Sequence, residues 1–300
     1  MKIDSQNSSL FNHQSVMIDE IINSIDNCPH KLSETFQGID ATLGGGGHSY
    51  SLLKRFSNLK IIGIDKDPYA TKVASERLSI FTNRFEIIQS NFSDFQPRDK
   101  VSFLIADLGV NSNQLDTPER GFSFLKDGPL DMRMNQDQKT SAKDLINTLT
   151  ETELANLIYE YGDEKLSRRI ARKIKNDLKI KGEYSGTKEL AYSIAGCYPP
   201  KQRYRKIHPA TRTFQALRIA VNKEIEVLGN LLDKAPDWLL RDGIISIISF
   251  HSIEDRKVKN YFKNDERLLN LTKKPIIPSN EEVQNNNRSR SAKLRIAKLK

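Results

Sequence analysis

A run of glycines between two acidic residues is the feature of this sequence best suited to chemistry. Residues 39–48 read Ile-Asp-Ala-Thr-Leu-Gly-Gly-Gly-Gly-His, and residues 61–65 read Ile-Ile-Gly-Ile-Asp. Glycines let backbone amides approach a ligand closely, and an acid about 20 residues further on can accept hydrogen bonds from ribose hydroxyls. Asp65 stands 18 residues after Gly47 and is the predicted ribose ligand. The pattern is typical of a nucleotide-type cofactor site.

Asp40 indicates which cofactor the glycine run binds. A carboxylate immediately before the loop repels the pyrophosphate of a dinucleotide and attracts a cation. S-adenosylmethionine carries a sulfonium and an ammonium, so Asp40 favours this cofactor. A nicotinamide-dependent oxidoreductase shares the strand, loop and acid pattern and is the less favoured alternative.

Two further polar clusters follow strand-like segments. Asp107 begins the segment DLGVNSNQLD, and His251 and Ser252 stand in the segment FHSIEDR. Ligands in open α/β sheets bind at the carboxyl ends of the strands, so both clusters are expected at that edge. A carboxylate or an imidazole at such a place can accept a proton or a developing charge.

The elements that position these residues are predicted from hydrophobic periodicity. Apolar runs bounded by turn residues alternate with a helical pattern at 68–79, which predicts an α/β fold with a Rossmann-like, mostly parallel sheet. The predicted strands are 35–40, 60–65, 84–89, 103–107 and 243–250.

The interval between the fourth and fifth predicted strands is too long for one crossover connection. Thr150 and Glu153 have the spacing of a capping box, and apolar stripes at helical spacing follow. Residues 140–206 are therefore predicted to be a helical insertion, within a catalytic domain of residues 1–139 and 207–300. A single long amphipathic helix is expected from Pro209 through Leu232, and the tail at 273–287 is expected to be irregular.

Basic residues are concentrated in three segments. Residues 164–181, 198–212 and 287–300 contain 19 Lys and Arg but two acids, so the rest of the chain is acidic although the net charge is +9. This distribution favours a polyanionic partner, most often nucleic acid, over the simpler interpretation of a solvated helix face. A non-enzymatic RNA-binding ribosome-assembly factor would also explain it. The predicted RNA-binding residues are Arg168, Arg169, Arg172, Lys173, Arg203, Arg205, Arg212, Arg288 and Arg290.

Composition limits the class of protein. No apolar run approaches the ~20 residues that cross a bilayer, and no secretion signal is recognisable, so a cytoplasmic location without membrane association is expected. Cys28 and Cys197 are far apart and lack the spacing of a zinc site, so no metal is expected. No feature of the sequence specifies an oligomeric state.

The motifs together make the sequence recognisable. Over nearly its whole length it resembles the bacterial family of small-subunit ribosomal RNA cytosine-N4 methyltransferases, called RsmH or MraW. Small departures are Ser15 and Asn287, where the family usually has proline, and Asn111 and Asn113 within DLGVNSNQ. The matching blocks are residues 13–17 with Glu20, 40–48, 64–68, 107–116, 120–124, 127–134, 208–222 (HPATRTFQALRIAVN), 249–256 and 288–295 (RSRSAKLR).

The resemblance implies a class I methyltransferase sheet and methyl transfer from S-adenosylmethionine to the exocyclic N4 of a cytidine in the decoding region of 16S ribosomal RNA. The RNA or the small ribosomal subunit would then be the partner, with no DNA partner expected, and the insertion at 140–206 would be an RNA-recognition domain. The implied cofactor contacts, together with Asp40, are Gly46, Gly47, His48, Asp65, Phe92, Asp107 and Gln114. The catalytic candidates are Asp107, Asn111, His251 and Ser252; Asp107 ranks first because it ends the central fourth strand.

Overall fold

The computed structural model describes residues 15–34, 36–110, 112–203 and 207–300. These residues form two compact units. The sheet unit comprises the described residues up to 109 together with 225–300, and the helical unit comprises residues 110–224. The predicted insertion, 140–206, lies wholly inside the helical unit, whose limits are wider.

A seven-stranded sheet is the centre of the sheet unit, and its strand order is β3-β2-β1-β4-β5-β7-β6. The first five strands pair in parallel, whereas β7 is antiparallel to both β5 and β6. The strands are β1 (Gln37–Asp40), β2 (Lys60–Asp65), β3 (Phe85–Gln89), β4 (Val101–Asp107), β5 (Leu239–Ser249), β6 (Leu268–Asn270) and β7 (Lys293–Leu299).

Both faces of this sheet are buried, as parallel strands require. Phe103 and Ile105 of β4 face a cluster that includes Leu52, Leu53 and Ile25 from helices α1 and α2. The alternate residues of the same strands face a second cluster that includes helices α11 and α12. The helices of this unit are α1 (Ile18–Asp26), α2 (Gly47–Arg55), α3 (Pro68–Leu78), α11 (Glu224–Trp238, starting at the last residue of the helical unit), α12 (Ser252–Asn264) and α13 (Asn280–Asn285).

Capping residues define the starts of several helices in the helical unit. Thr150 and Glu153 form the predicted capping box, and Ser141 and Asp144 form a second one. The apolar faces of these helices share one core, which includes Ile158, Ile170 and Phe214. The helices are α4 (Ser112–Asp116), α5 (Ala142–Thr148), α6 (Glu151–Gly162), α7 (Ser167–Lys181), α8 (Thr187–Gly196), α9 (Pro200–Arg203) and α10 (Thr211–Asn222).

Two predictions about the elements were wrong. The expected single helix through Leu232 is two helices, because Lys223 adopts a left-handed conformation (φ 51°) and interrupts the backbone hydrogen bonds between α10 and α11. The tail expected to be irregular contains α13, which Ser279 caps by accepting from the amide of Glu282. Strands β6 and β7, on either side of that tail, were not predicted.

No helix among the described residues has the length and apolar character needed to cross a membrane.

Candidate active site

The glycine loop connects β1 to α2 at the carboxyl edge of the sheet. Gly44 (φ 52°) and Gly46 (φ 74°) are both left-handed, a conformation that side chains with a Cβ rarely adopt. A Cβ on Gly46 would also lie 3.3 Å from the Cβ of Ala74 on α3. The loop is closed by a hydrogen bond from the amide of Gly46 to Leu43 O (2.8 Å). Glycine at these positions therefore fixes a tight turn before the first turn of α2.

Asp40, the acid before the loop, is buried, with 2% of its surface exposed. Ser49 Oγ donates to Asp40 Oδ2 (2.7 Å), and the amide of Thr42 donates to Oδ1 (3.3 Å). Burial raises the pKa of this carboxyl, whereas nearby His48 and the two hydrogen bonds oppose that shift. Asp40 thus orients the loop and α2.

Asp65 ends β2 and holds the glycine loop from the other side. Its Oδ2 accepts from the amide of Gly44 (2.8 Å), and its Oδ1 accepts from the amide of Asp67 (2.8 Å). Burial raises its pKa, and these two backbone donors oppose the shift. Each carboxylate oxygen has a second lone pair, so the group keeps acceptor capacity for hydroxyls. Phe92, the predicted adenine neighbour, is partly buried and packs against the core of the sheet unit.

Asp107 ends β4, next to β1, and has one buried and one more accessible carboxylate oxygen. Its amide donates to Thr42 Oγ1 (2.6 Å), which connects it to the glycine loop. Its Oδ1 is buried without a hydrogen-bond partner among the described residues. Burial is the main cause that raises the pKa of Asp107 to about 6; His48 opposes this shift, and the charges of Asp40 and Glu254 add to it. A carboxyl that titrates near neutral pH suits proton transfer.

His48 lies beside Asp107. Its Nδ1 is 3.8 Å from Asp107 Oδ2, and its Nε2 donates to Val16 O (2.8 Å). Because Nε2 donates to Val16 O, Nδ1 is the ring nitrogen that faces the Asp107 carboxylate. The imidazole therefore connects the segment before α1 to the carboxylate at the end of β4.

The turn after β5 holds His251 and a buried acid that sequence reasoning missed. Glu254 is 2% exposed, and its Oε2 accepts from the amide of Phe250 (3.0 Å). His251 caps α12: its Nδ1 accepts from the amide of Glu254 (3.3 Å), and its Nε2 lies 3.0 Å from Glu254 Oε1 without hydrogen-bond geometry. The three-residue spacing from the capping residue His251 to Glu254 is the sequence signal that could have found this acid. Asp255 binds Arg295 Nε (2.7 Å).

The sheet unit therefore brings Asp40, His48, Asp65 and Asp107 to one sheet edge. Gln114 is a buried residue of α4 in the helical unit. Asn111 and Arg205 lie outside the described residues.

The predicted RNA-binding residues differ in their exposure and in the groups that their side chains contact. Arg168 and Arg169 on α7 are exposed and pair with no acid among the described residues, whereas Arg172 contacts Glu151 (3.2 Å). Lys173 donates to Asp177 Oδ1 (2.6 Å). Backbone carbonyls accept from the remaining two: Arg203 donates to Tyr198 O (2.8 Å) and Arg212 to Asp163 O (3.1 Å). In the sheet unit, Arg288 and Arg290 are exposed within the turn at 287–291.

The strand order, the antiparallel β7, the glycine loop after β1 and the acid that ends β2 define a class I methyltransferase. A family model described as the MraW methylase family matches residues 10–300. The chain belongs to this family. This assignment selects the methyltransferase hypothesis over a nicotinamide-dependent oxidoreductase and over a non-enzymatic RNA-binding factor.

Curated relatives are similar in sequence to this chain over its whole length. The chain is 68% identical over 299 residues to "Ribosomal RNA small subunit methyltransferase H" of Prochlorococcus marinus strain MIT 9312, covering 100% of both chains. The protein of the same name from strain NATL2A is 58% identical over 293 residues, which is 98% of this chain and 96% of the relative. Among solved structures, an rRNA methylase from Streptococcus thermophilus has a TM-score of 0.44 at 13% identity, covering 93% of this chain and 95% of that one. That score is too low to carry an argument, so the fold assignment depends on the strand order.

Proposed function

We propose that this protein transfers a methyl group from S-adenosylmethionine to the exocyclic N4 of a cytidine in the decoding region of 16S ribosomal RNA. Family membership and the names of the relatives support an RNA methyltransferase. The observation that carries the chemical step is Asp107, a carboxyl whose Oδ1 is buried without a partner among the described residues, at the end of the strand next to the glycine loop.

The residues of the sheet unit fit the cofactor. The loop at 43–47 has the backbone conformation of a close-approach site, and Asp65 retains acceptor capacity for a pair of hydroxyls. Asp40, Asp65 and Asp107 end the neighbouring strands β1, β2 and β4, so the edge is anionic when they are ionised. An anionic edge favours a cationic ligand over a pyrophosphate. When bound, S-adenosylmethionine supplies the electrophilic methyl group.

We assign to Asp107 the role of accepting the charge and the proton that the cytosine N4 amine gives up. The N4 amine of cytosine is conjugated with its ring and gains positive charge as its new bond to carbon forms, so a preorganised anion beside it lowers the barrier. With a pKa of about 6, Asp107 is mostly ionised at neutral pH and is basic enough to hold the proton that the amine gives up. Because Oδ1 is buried while the side chain as a whole is 28% exposed, Oδ2 is the oxygen that receives this proton.

His251 and Ser252 rank below Asp107. Because Nδ1 of His251 accepts from the amide of Glu254, its proton in the neutral ring is on Nε2, and the ring is already used to cap α12. Ser252 is exposed at the start of that helix. The turn is therefore better suited to shaping the edge of the site than to accepting a proton.

Mass spectrometry of nucleosides from 16S RNA tests the proposal. RNA from cells that lack the protein should gain N4-methylcytidine when it is incubated with the protein and S-adenosylmethionine, and the Asp107→Asn variant should produce it far more slowly. Absence of the modified nucleoside, with intact cofactor binding, would refute the assigned substrate. Failure to bind S-adenosylmethionine, measured by titration calorimetry, would favour a non-enzymatic assembly factor.

A further inference from the structure

Tyr192 on α8 is an aromatic side chain left in solvent. It is 83% exposed, although its neighbours Leu190, Ala191 and Ile194 are buried in the core of the helical unit. An exposed tyrosine offers a flat apolar face at low conformational-entropy cost, which is why such residues are enriched at interfaces. Single exposed apolar residues are also common without a role, so the surroundings of the ring decide its interpretation.

The helix under Tyr192 is held firmly by a buried polar network. Ser193 Oγ donates to Asp177 Oδ2 (2.5 Å), and Tyr184 OH donates to the same oxygen (3.0 Å). Lys173 Nζ donates to Asp177 Oδ1 (2.6 Å) and completes the hydrogen bonding of this carboxylate. The network fixes α8 against α7 at the residue next to Tyr192. The ring therefore projects from a fixed backbone.

Cations flank the ring. Lys188 is exposed and stands four residues before Tyr192, on the same face of α8. At the other end of the helix, Arg203 Nη2 donates to Gly196 O (3.3 Å), which places a guanidinium one turn after the ring. Cys197 Sγ lies 3.9 Å from Arg169 O, so the first turn of basic α7 is beside the last turn of α8. This contact is on the buried side of α8, since Cys197 is 3% exposed, so Lys188 and Arg203 are the cations nearest the ring in this helix. The exposed acid Glu189, three residues before Tyr192, accepts from the amide of Ser185 (2.8 Å).

The space beside the ring is open. Gly196, one turn after Tyr192, would meet nothing within 4 Å if it carried a Cβ. A flat group can therefore lie against the ring without contacting another side chain at that position.

We propose that Tyr192 is a stacking platform for an unpaired base of the RNA substrate, with Lys188 and Arg203 contacting the adjacent phosphates. An aromatic face within a cationic surface is the combination by which proteins bind single-stranded nucleic acid, because every base has a π-face and every nucleotide a phosphate. The inference rests on the proposed function, since it assumes that RNA is the substrate. It adds an RNA contact outside the three charged segments recognised in the sequence.

The test measures binding of the full-length protein to a fluorescent single-stranded RNA oligonucleotide and to an oligonucleotide of the same length with abasic sugars. Stacking of one base is worth about 1–3 kcal/mol, so Tyr192→Ala should weaken binding of the normal RNA by about 5- to 150-fold. Binding of the abasic oligonucleotide and the slope of affinity against salt should not change, because no phosphate contact is lost. Tyr192→Phe should bind as the wild type does.

Two further variants sharpen the test. Gly196→Leu fills the open space beside the ring and should weaken binding while leaving Tyr192 in place. Tyr159→Ala is the matched control, since Tyr159 is 60% exposed on α6 but adjoins Glu160 and stands four residues before Asp163. It should have no effect on RNA binding.

Unchanged affinity of Tyr192→Ala for the normal RNA would overturn the inference, as would an equal loss for the abasic oligonucleotide. A loss of methyl transfer on assembled small subunits, with unchanged binding and methylation of free RNA, would also overturn it and indicate a protein contact. Methyl transfer by the wild type is measured in parallel. If the wild type methylates 16S RNA and Tyr192→Ala binds normally, the stacking role fails alone; if the wild type transfers no methyl group, the proposed function fails.

Discussion

Replacing Asp107 by asparagine removes one buried charge and keeps the shape of the side chain. If Asp107 accepts the charge of the cytosine amine, methyl transfer should slow by about a hundredfold or more, which corresponds to about 2.7 kcal/mol of lost transition-state stabilisation. Cofactor affinity should change much less, because the glycine loop and Asp65 are intact. Asp99→Asn, at an exposed acid between β3 and β4, is the matched control and should transfer methyl normally.

The pH dependence follows from the raised pKa of Asp107. A carboxyl with a pKa of about 6 is about 9% ionised at pH 5 and about 99% ionised at pH 8, so kcat/KM should rise about tenfold over this range. The appropriate parameter is kcat/KM, because its pH dependence reports the pKa of Asp107 in the free enzyme. In the complex, the positive charge of the bound cofactor lowers that pKa. The Asp107→Asn variant should lose this dependence.

The free energy of unfolding should change with pH in the direction opposite to kcat/KM. Because the folded pKa lies above the unfolded value of 3.8, the native state binds more protons between about pH 4 and pH 6, and the free energy of unfolding falls as pH rises through that window. The shift corresponds to a penalty of at most about 3 kcal/mol above pH 6, reduced because the side chain is 28% exposed. Asp107→Asn should therefore be about 1–3 kcal/mol more stable than the wild type at pH 8, with a smaller difference at pH 5.

Single-turnover rates at saturating cofactor and 16S RNA are the decisive measurement, because release from a large RNA can limit steady-state rates. Transfer at the wild-type rate by Asp107→Asn would show that the acceptor lies elsewhere, and His251 would be the next residue to replace. A variant that binds no cofactor would assign Asp107 to cofactor binding.

Three further outcomes are expected. Asp65→Ala should weaken S-adenosylmethionine binding by about 1.5–3 kcal/mol in calorimetry, and unchanged affinity of the folded variant would remove Asp65 from the site. The double variant Arg168→Gln, Arg169→Gln should reduce RNA affinity and its dependence on salt, without changing cofactor binding. An unchanged slope of affinity against salt would show that these two side chains are only solvated and do not contact RNA. Gly121→Ala should destabilise the protein to urea by about 2 kcal/mol or more, because φ is 69° and its Cβ would lie 2.1 Å from Pro129 O. Gly182→Ala, at φ 83° with open space, should cost less, and equal losses would contradict the steric explanation.

The parallel part of the sheet was predictable because each strand is an apolar run that ends in a polar residue. Strands β2, β3 and β4 start or end within two residues of their predicted limits, and the expected ends at Asp65 and Asp107 are confirmed. The antiparallel strands were not predictable by the same signal. In β7, Lys293, Arg295 and Lys298 interrupt the apolar pattern, and its burial depends on Asp255 pairing with Arg295, which is 3% exposed.

The assignment of residues to the site is a prediction from the sequence, whereas the interactions among those residues are seen only in the fold. Residue type and spacing indicated Asp40, Asp65 and Asp107, but only the fold shows that Asp40 is enclosed by Ser49 while Asp107 keeps a buried oxygen without a partner among the described residues. The break at Lys223 was invisible because the apolar stripe continues in phase on both sides of one left-handed residue. Arg203 likewise looks like a free cation in sequence, yet it donates to the carbonyls at the end of α8.

Strands β4 and β5 pair along most of their length, yet residues 108–238 separate them in the chain. A polypeptide emerging from the ribosome therefore completes β1 to β4 and the entire helical unit before residues 239–249 become available. Until then β4 is an unpaired edge strand of an incomplete sheet, although its side chains from Val101 to Ala106 are buried in the folded protein. Unpaired apolar edge strands are sites of aggregation, and the pairing of strands that are far apart in sequence is slow. Newly made chains of this protein thus pass through a vulnerable interval whose length is set by the time needed to translate the helical unit and α11.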